Sequence, residues 1–233
     1  MVILLLIMIK LKDILLESTA PDIFVPRRME DRVERMVATY IRNGSKGYLN
    51  LRQMNLNKLP DILKNVNVGG PFNCSVNNLT TLENAPKSVD ESFYSSGNGL
   101  TSLVGAPKTV GGDFYCSYNL LTSLEGAPNN INGGYFACNE NNLTSLKGAP
   151  KTVAQSFYCN YNKLTSLEGA PKFVGHNFIC SHNLLISLEG APEYVDGNFY
   201  CDKNPVKFTE KQVRDVCDVG GKIIVWLNLK TYY

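Results

Sequence analysis

The sequence predicts a mostly β, α/β-type repeat solenoid with a helical cap at each end. Three observations carry that expectation. The words Leu-Thr-Ser-Leu-x-Gly-Ala-Pro recur almost unchanged, their second Leu falling at Leu82, Leu103, Leu124, Leu146, Leu167 and Leu188. A Phe recurs in step with them, at Phe72, Phe93, Phe114, Phe136, Phe157, Phe178 and Phe199. Asn fills 25 of the 233 positions, which points to a structural use of that residue. The steps between repeats are 21, 21, 22, 21 and 21 residues, and the extra one lies in Asn132-Gly133-Gly134-Tyr135, a natural loop insertion. Self-similarity at a fixed period of this length marks stacked units that bury a continuous core.

Written out, the unit is Val-x-x-x-Phe-x-Cys-x-x-Asn-x-Leu-x-x-Leu-x-x-Ala-Pro. It resembles the leucine-rich repeat, L-x-x-L-x-L-x-x-N-x-L, with Phe and Cys standing where two consensus leucines would be. The resemblance covers roughly residues 48–227. In its repeat length it is similar to the short bacterial class, which includes effectors injected into host cells. It implies short parallel strands on the concave side and a convex side too short for a full helix, hence extended or turn-like. The Gly-Ala-Pro corner agrees, because Pro fixes its own φ and biases the residue before it away from helix. Nine strands at about 4.8 Å spacing give a solenoid about 40 Å long. The words Ile9-Lys-Leu-Lys-Asp-Ile-Leu-Leu-Glu17 and Asn204-Pro-Val-Lys-Phe-Thr-Glu-Lys-Gln-Val-Arg-Asp-Val-Cys217 further resemble uncharacterised leucine-rich repeat proteins of large tailed phages.

A stack exposes apolar surface at both ends, so caps are expected. The chain divides into an N-terminal helical cap (1–47), the repeat solenoid (48–206) and a C-terminal helix–strand cap (207–233). In the first cap Met29, Val33, Met36, Val37, Tyr40 and Ile41 fall on one helical face, after Pro26 and before Asn43-Gly44. A shorter amphipathic stretch holds Leu11, Ile14 and Leu15. Leu49-x-Leu51-x-x-Met54-x-Leu56-x-x-Leu59-Pro60 reads as a degenerate first repeat with Met in the Asn position. In the second cap Thr209-x-x-Gln212 is a capping box ahead of Val213, Val216 and Cys217, and Val219-x-x-x-Ile223-x-Val225 repeats the strand pattern once more.

Composition narrows the partners. A net charge of +2 is too small to advertise a polyanion. The apolar run Val2–Ile9 is too short to span a membrane and is followed, not preceded, by its basic residues Lys10 and Lys12, unlike a secretory signal. A cytoplasmic protein is therefore expected, in the host cytoplasm if it is phage-encoded, with no membrane partner, no cofactor and a monomeric state.

Three columns stand out. Cys74, Cys116, Cys138, Cys159, Cys180 and Cys201 share one column, with Ser95 on the missing rung. Each lies two residues after Phe and so faces inward, as a small buried hydrophobe rather than a metal ligand. Asn77, Asn98, Asn119, Asn141, Asn162, Asn183 and Asn204 sit at the bend after each strand. There an amide side chain, carrying both donor and acceptor, can satisfy backbone groups that have left the ladder; the resemblance implies the same structural Asn ladder. Between Phe and Cys, outward on the concave face, come Asn73, Tyr94, Tyr115, Ala137, Tyr158, Ile179 and Tyr200. Ser75, Ser96, Ser117, Asn139, Asn160, Ser181 and Asp202 follow, then Tyr118, Tyr161 and His182 at the strand's end. Rigid tyrosines beside small hydrogen-bonding residues have the composition of a paratope. The candidate binding residues are Tyr94, Tyr115, Tyr118, Tyr158, Tyr161, Ile179, His182 and Tyr200. On the convex side Lys87, Lys108, Lys151 and Lys172 balance Glu83, Glu125, Glu168 and Glu189, as expected of a solvated face.

An enzyme needs unlike groups converging, whereas a repeat supplies the same side chain over and over. No catalytic residues and no metal ligands are therefore assigned. The expected function is protein binding without chemistry, on a host or phage partner. A structural, virion-associated or assembly component is the alternative. Single-stranded nucleic acid stacked on the tyrosines is disfavoured for want of a basic groove.

Overall fold

The computed structural model describes residues 29–226. The Val2–Ile9 run, the Leu11, Ile14 and Leu15 stretch, the Ile9–Glu17 words and Pro26 lie outside them. The chain is a solenoid whose repeats each lay down two strands of two residues. Phe72–Asn73, Phe93–Tyr94, Phe114–Tyr115 and their successors, flanked by Leu49–Asn50 and Ile223–Ile224, make one nine-stranded parallel sheet. Its register is exact from repeat to repeat, Phe72 opposite Phe93 opposite Phe114, and so on to Phe199 opposite Ile223. Because side chains alternate across a strand, this register sends every Phe inward and every following residue outward.

The inward side is a spine. The seven Phe rings stack with centroids 5.0 to 5.8 Å apart and are fully buried. Each aromatic contact of this kind adds about 0.5–1.5 kcal/mol beyond its burial. Buried Leu79, Leu100, Leu121, Leu143, Leu164 and Leu185, with the Leu82 to Leu188 column, close the second wall of the core. The third wall is a second set of strands, carrying Val68, Val89 and Val110 in a three-stranded sheet, then Ile131, Val153, Val174, Val195 and Val219 in a five-stranded one. The convex side thus carries extended segments and, in the first repeat, a 3-10 turn at Asp61–Leu63. The break between the two short sheets falls beside the inserted residue. From Val110 to Phe114 the chain has three intervening residues, but from Ile131 to Phe136 it has four.

Both described ends of the core are covered. The N-terminal helix, Met29–Arg42, buries Val33, Val37 and Ala38, and packs Met36, Tyr40 and Ile41 against the core. It stops at Asn43-Gly44, and the Tyr40 hydroxyl donates to the carbonyls of Ser45 (2.6 Å) and Gly47 (3.1 Å), tying helix to first repeat. At the other end the helix Glu210–Arg214 opens on a reciprocal capping box between Thr209 and Gln212 and buries Val213. The strands Asp218–Val219 and Ile223–Ile224 then extend both sheets by one rung. Among the described residues, no helix is long and apolar enough to cross a membrane.

Candidate functional site

The concave face is built from the backbone outward, and its frame is the Asn column. Each Asn turns back towards the repeat before it. The Asn141 amide donates to the carbonyls of Cys116 (3.1 Å) and Cys138 (3.0 Å), while its oxygen accepts the Leu121 N–H at 3.0 Å. The same bonds recur at Asn119, Asn162, Asn183 and Asn204. Asn98 and Asn119 each add a second acceptance, Asn98 from the Asn77 N–H as well as that of Leu79, and Asn119 from the Asn98 N–H as well as that of Leu100. Asn77 accepts from both Met54 and Leu56. Since the bonds reach backwards, the first repeat has nothing to reach for, and Met54 can stand where the others have Asn.

The Cys column is buried, and it does more than fill space. The thiols of Cys74, Cys116, Cys138, Cys159 and Cys180 lie 3.2 to 3.4 Å from the carbonyl oxygen of the outward residue one repeat on, and donate to it. Ser95 makes the equivalent bond to Tyr115 at 3.1 Å. This explains the exchange of Cys for Ser on that rung: both bring a small X–H donor to the same acceptor. Reading the column as hydrophobic packing alone missed this bond. Burial pushes the Cys74 and Cys201 thiols up to about 12 and raises those of Cys116, Cys138, Cys159 and Cys180 as well. Such thiols are poor nucleophiles.

On the outer side, Tyr94 and Tyr115 stack nearly parallel, centroids 5.1 Å apart. The column is then interrupted by Ala137, resumes at Tyr158, passes Ile179 and ends at Tyr200; apart from buried Ala137, these residues are half-buried. Tyr118 (59% exposed), Tyr161 (47%) and His182 stand on the rim, the last two stacked at 4.2 Å. Their backbones are left-handed, with φ of 55°, 54° and 53°, as at Val76, Glu140 and Lys203. Gly97 takes the same conformation without strain. In the sequence only that glycine hinted at it.

The Ser, Asn and Asp column between tyrosines and rim is not free for a partner in the way its composition suggests. Ser75, Ser117, Ser181 and Asp202 are buried, shaded by the columns on either side. They bond along the trough: the Ser117 hydroxyl donates to Asn139 at 2.6 Å, and that of Ser181 donates to Asp202. Asn160 Oδ1 is buried and receives no hydrogen bond.

Where Ala137 replaces a ring, the face sinks into a hollow of about 360 Å³, walled by Tyr115, Tyr118, Tyr135 and Tyr158 over Ala137 and Asn139. Tyr135 tilts against Tyr158, centroids 6.0 Å apart. Asp113 stands beside the hollow, accepting from the Tyr135 N–H (2.9 Å) and from the Tyr115 hydroxyl (3.4 Å). Burial, then the Asp113 charge, pushes Tyr115 up to about 12. On the rim, a hydrogen bond to Glu140 and its charge raise Tyr118. Among the described residues, no three His, Cys, Asp or Glu side chains are grouped so as to hold a metal. His176 Nδ1 lies within hydrogen-bond distance of Ser156 and Asn177, away from the tyrosines. The Glu and Lys columns of the convex side are exposed. Lys172 pairs there with Glu193 at 2.7 Å, a contact worth little in water.

Parallel two-residue strands on the concave side, an Asn ladder at the bend and an extended convex side define a leucine-rich repeat with a repeat of about 21 residues. A solved structure of the same architecture agrees. The leucine-rich repeat domain of a Shigella effector aligns over 88% of this chain and 81% of its own, at 22% identity and a TM-score of 0.54. YopM of Yersinia pestis, a leucine-rich effector protein, aligns over 82% of this chain and 58% of its own, at 21% identity and a TM-score of 0.48. YopM of Yersinia enterocolitica aligns over 82% of this chain and 49% of its own, at 20% identity and a TM-score of 0.46. The likeness is one of fold. No protein-family model and no curated protein sequence matches the chain.

Proposed function

We propose that the protein is a non-catalytic binding module that holds a partner protein on the tyrosine-bearing concave face. The observation that supports this reading is the rigid aromatic surface itself. Tyr94, Tyr115, Tyr158 and Tyr200 project from one in-register sheet whose inner face is a continuous Phe spine, so they are held in place before any partner arrives. Preorganised aromatics give affinity at little cost in ordering. Tyr118, Tyr161 and His182 extend the surface to the rim, and Ile179 interrupts it with an aliphatic contact. The Asn77 to Asn204 column acts beneath them as scaffold. From the resemblance of the Asn204–Cys217 segment, we take the partner to be a host or phage protein.

The test is affinity capture from a lysate of the source cells, read by mass spectrometry. Parent protein is set beside a variant with Tyr94, Tyr115, Tyr158 and Tyr200 all changed to Ser, its fold checked by circular dichroism. A partner retained by the parent and lost by the folded variant is the expected result. Equal capture by both would move binding to the caps or the convex side and overturn the reading.

A further inference from the structure

The Ala137 hollow interrupts the tyrosine column by one rung, and its shape and charge both specify what fits. Tyr94 covers one face of Tyr115. The opposite face of that ring looks along the column towards Ala137, where the repeat carries no aromatic side chain. Neighbouring strands are about 4.8 Å apart, so Tyr115 and Tyr158 stand two rungs, about 10 Å, from each other. That separation leaves room for one flat group between aromatic faces. Tyr135, leaning on Tyr158, closes the far side.

The charge around the hollow has one sign. The strand segments 91–97, 112–118, 134–140, 155–161 and 176–182 contain Glu91, Asp113 and Glu140, and neither Lys nor Arg. Asp113 touches the hydroxyl of Tyr115 and the backbone of Tyr135. Glu140 follows Asn139 on the hollow's floor and shares the rim with Tyr118. A guest suited to these surroundings is flat, positively charged and able to donate to carboxylates.

We infer that the hollow over Ala137 receives an arginine side chain of the partner polypeptide, its guanidinium lying on Tyr115 in the place of the absent ring and facing Asp113 and Glu140. Guanidinium is planar, stacks on aromatic faces and pairs with carboxylates, whereas a lysine ammonium is a compact, strongly hydrated point charge. The assignment rests on the concave face being the binding surface and deepens that reading by naming its central contact.

The experiment is a nuclear magnetic resonance titration of the full chain, following the Tyr115 and Tyr158 ring signals. The probes are capped peptides Gly-Gly-X-Gly-Gly in which X is arginine, its neutral isostere citrulline, or phenylalanine, taken to about 10 mM because one side chain gives millimolar affinity. Saturable shifts with the arginine peptide, at least about tenfold weaker with citrulline, are expected. Ala137→Tyr, which restores the residue found at this position in other repeats, should abolish them. Glu140→Gln, which removes the charge while keeping the size of this half-buried side chain, should weaken them and reduce their salt dependence. Equal binding of arginine and citrulline, or shifts that persist in Ala137→Tyr, would overturn the inference. Preference for phenylalanine would overturn the arginine assignment while leaving the concave face as a binding surface. Silence from all three peptides would overturn the inference alone, because capture by the four-tyrosine variant judges the face independently.

Discussion

Asn141 shows how much one side chain carries in this architecture. Its amide serves two buried carbonyls and its oxygen one buried N–H, each in a part of the chain that has left the strand ladder. Asn141→Ala strands those groups, and an unsatisfied buried polar group costs about 1–3 kcal/mol. The urea midpoint should fall accordingly with an unchanged slope; an unmoved midpoint would show that the bonds carry no net stability. The Asn column could be read from the sequence because a polar residue at a fixed place in every bend has few other uses. The direction of its bonds could not, since either neighbour could supply the same donors and acceptors. The thiol donors were hidden for a related reason: Cys is a fair hydrophobe and a weak donor at once, and only Ser95 marks the second role. The left-handed rim was hidden more deeply. Val76, Tyr118, Glu140, Tyr161, His182 and Lys203 share a conformation that, His182 apart, none of their side chains favours.

At the scale of the element, the convex corner decides how closely one repeat can sit on the next. Gly126 has φ of +95°, and a Cβ there would lie 2.3 Å from the Leu103 carbonyl oxygen. Gly126→Ala therefore meets both a strained backbone and a neighbouring main chain that cannot yield without moving a repeat. A loss of roughly 2–4 kcal/mol is expected, read as a lower thermal midpoint. A change below about 0.5 kcal/mol would mean that the corner is more pliant than its geometry indicates. The one non-glycine in this column, Asn84, has φ of 67° and bonds back to Asp61 at 2.8 Å, a compensation open to Asn but not to Ala. The Gly-Ala-Pro words located these corners in the sequence, and the insertion at residues 132–135 was equally plain. The interruption of the second strand set beside it was not legible, because two-residue strands leave no pattern of their own. The hollow over Ala137 escaped notice too. A small residue in a tyrosine column reads as a weak rung until the neighbouring rings are seen standing around it.

Over the whole molecule, seven buried thiols give stability a marked alkaline dependence. In the unfolded chain a thiol titrates near 9; in the fold Cys217 is pushed up to about 11 and Cys74 and Cys201 to about 12, in each case chiefly by burial. A group whose folded value is raised stabilises fully below its unfolded value and loses that contribution as pH climbs towards the folded one. Stability should hold steady up to about pH 8 and then fall above about pH 9, by at most about 1.4 kcal/mol per pH unit for each deeply buried thiol and by less for Cys217, which is closer to solvent. Thermal midpoints measured from pH 7 to about pH 10.5 test this, and Cys138→Ser, on the precedent of Ser95, should make the decline shallower. A flat profile would show that the thiols ionise without opening the core. The backward reach of the asparagines bears, finally, on how such a chain comes into being. A ribosome delivers the repeats in order, and each leaves its bend unfinished until the following repeat brings the amide that completes it. The growing end is thus always one asparagine short, and folding advances like masonry in which every course is locked by the one laid on top.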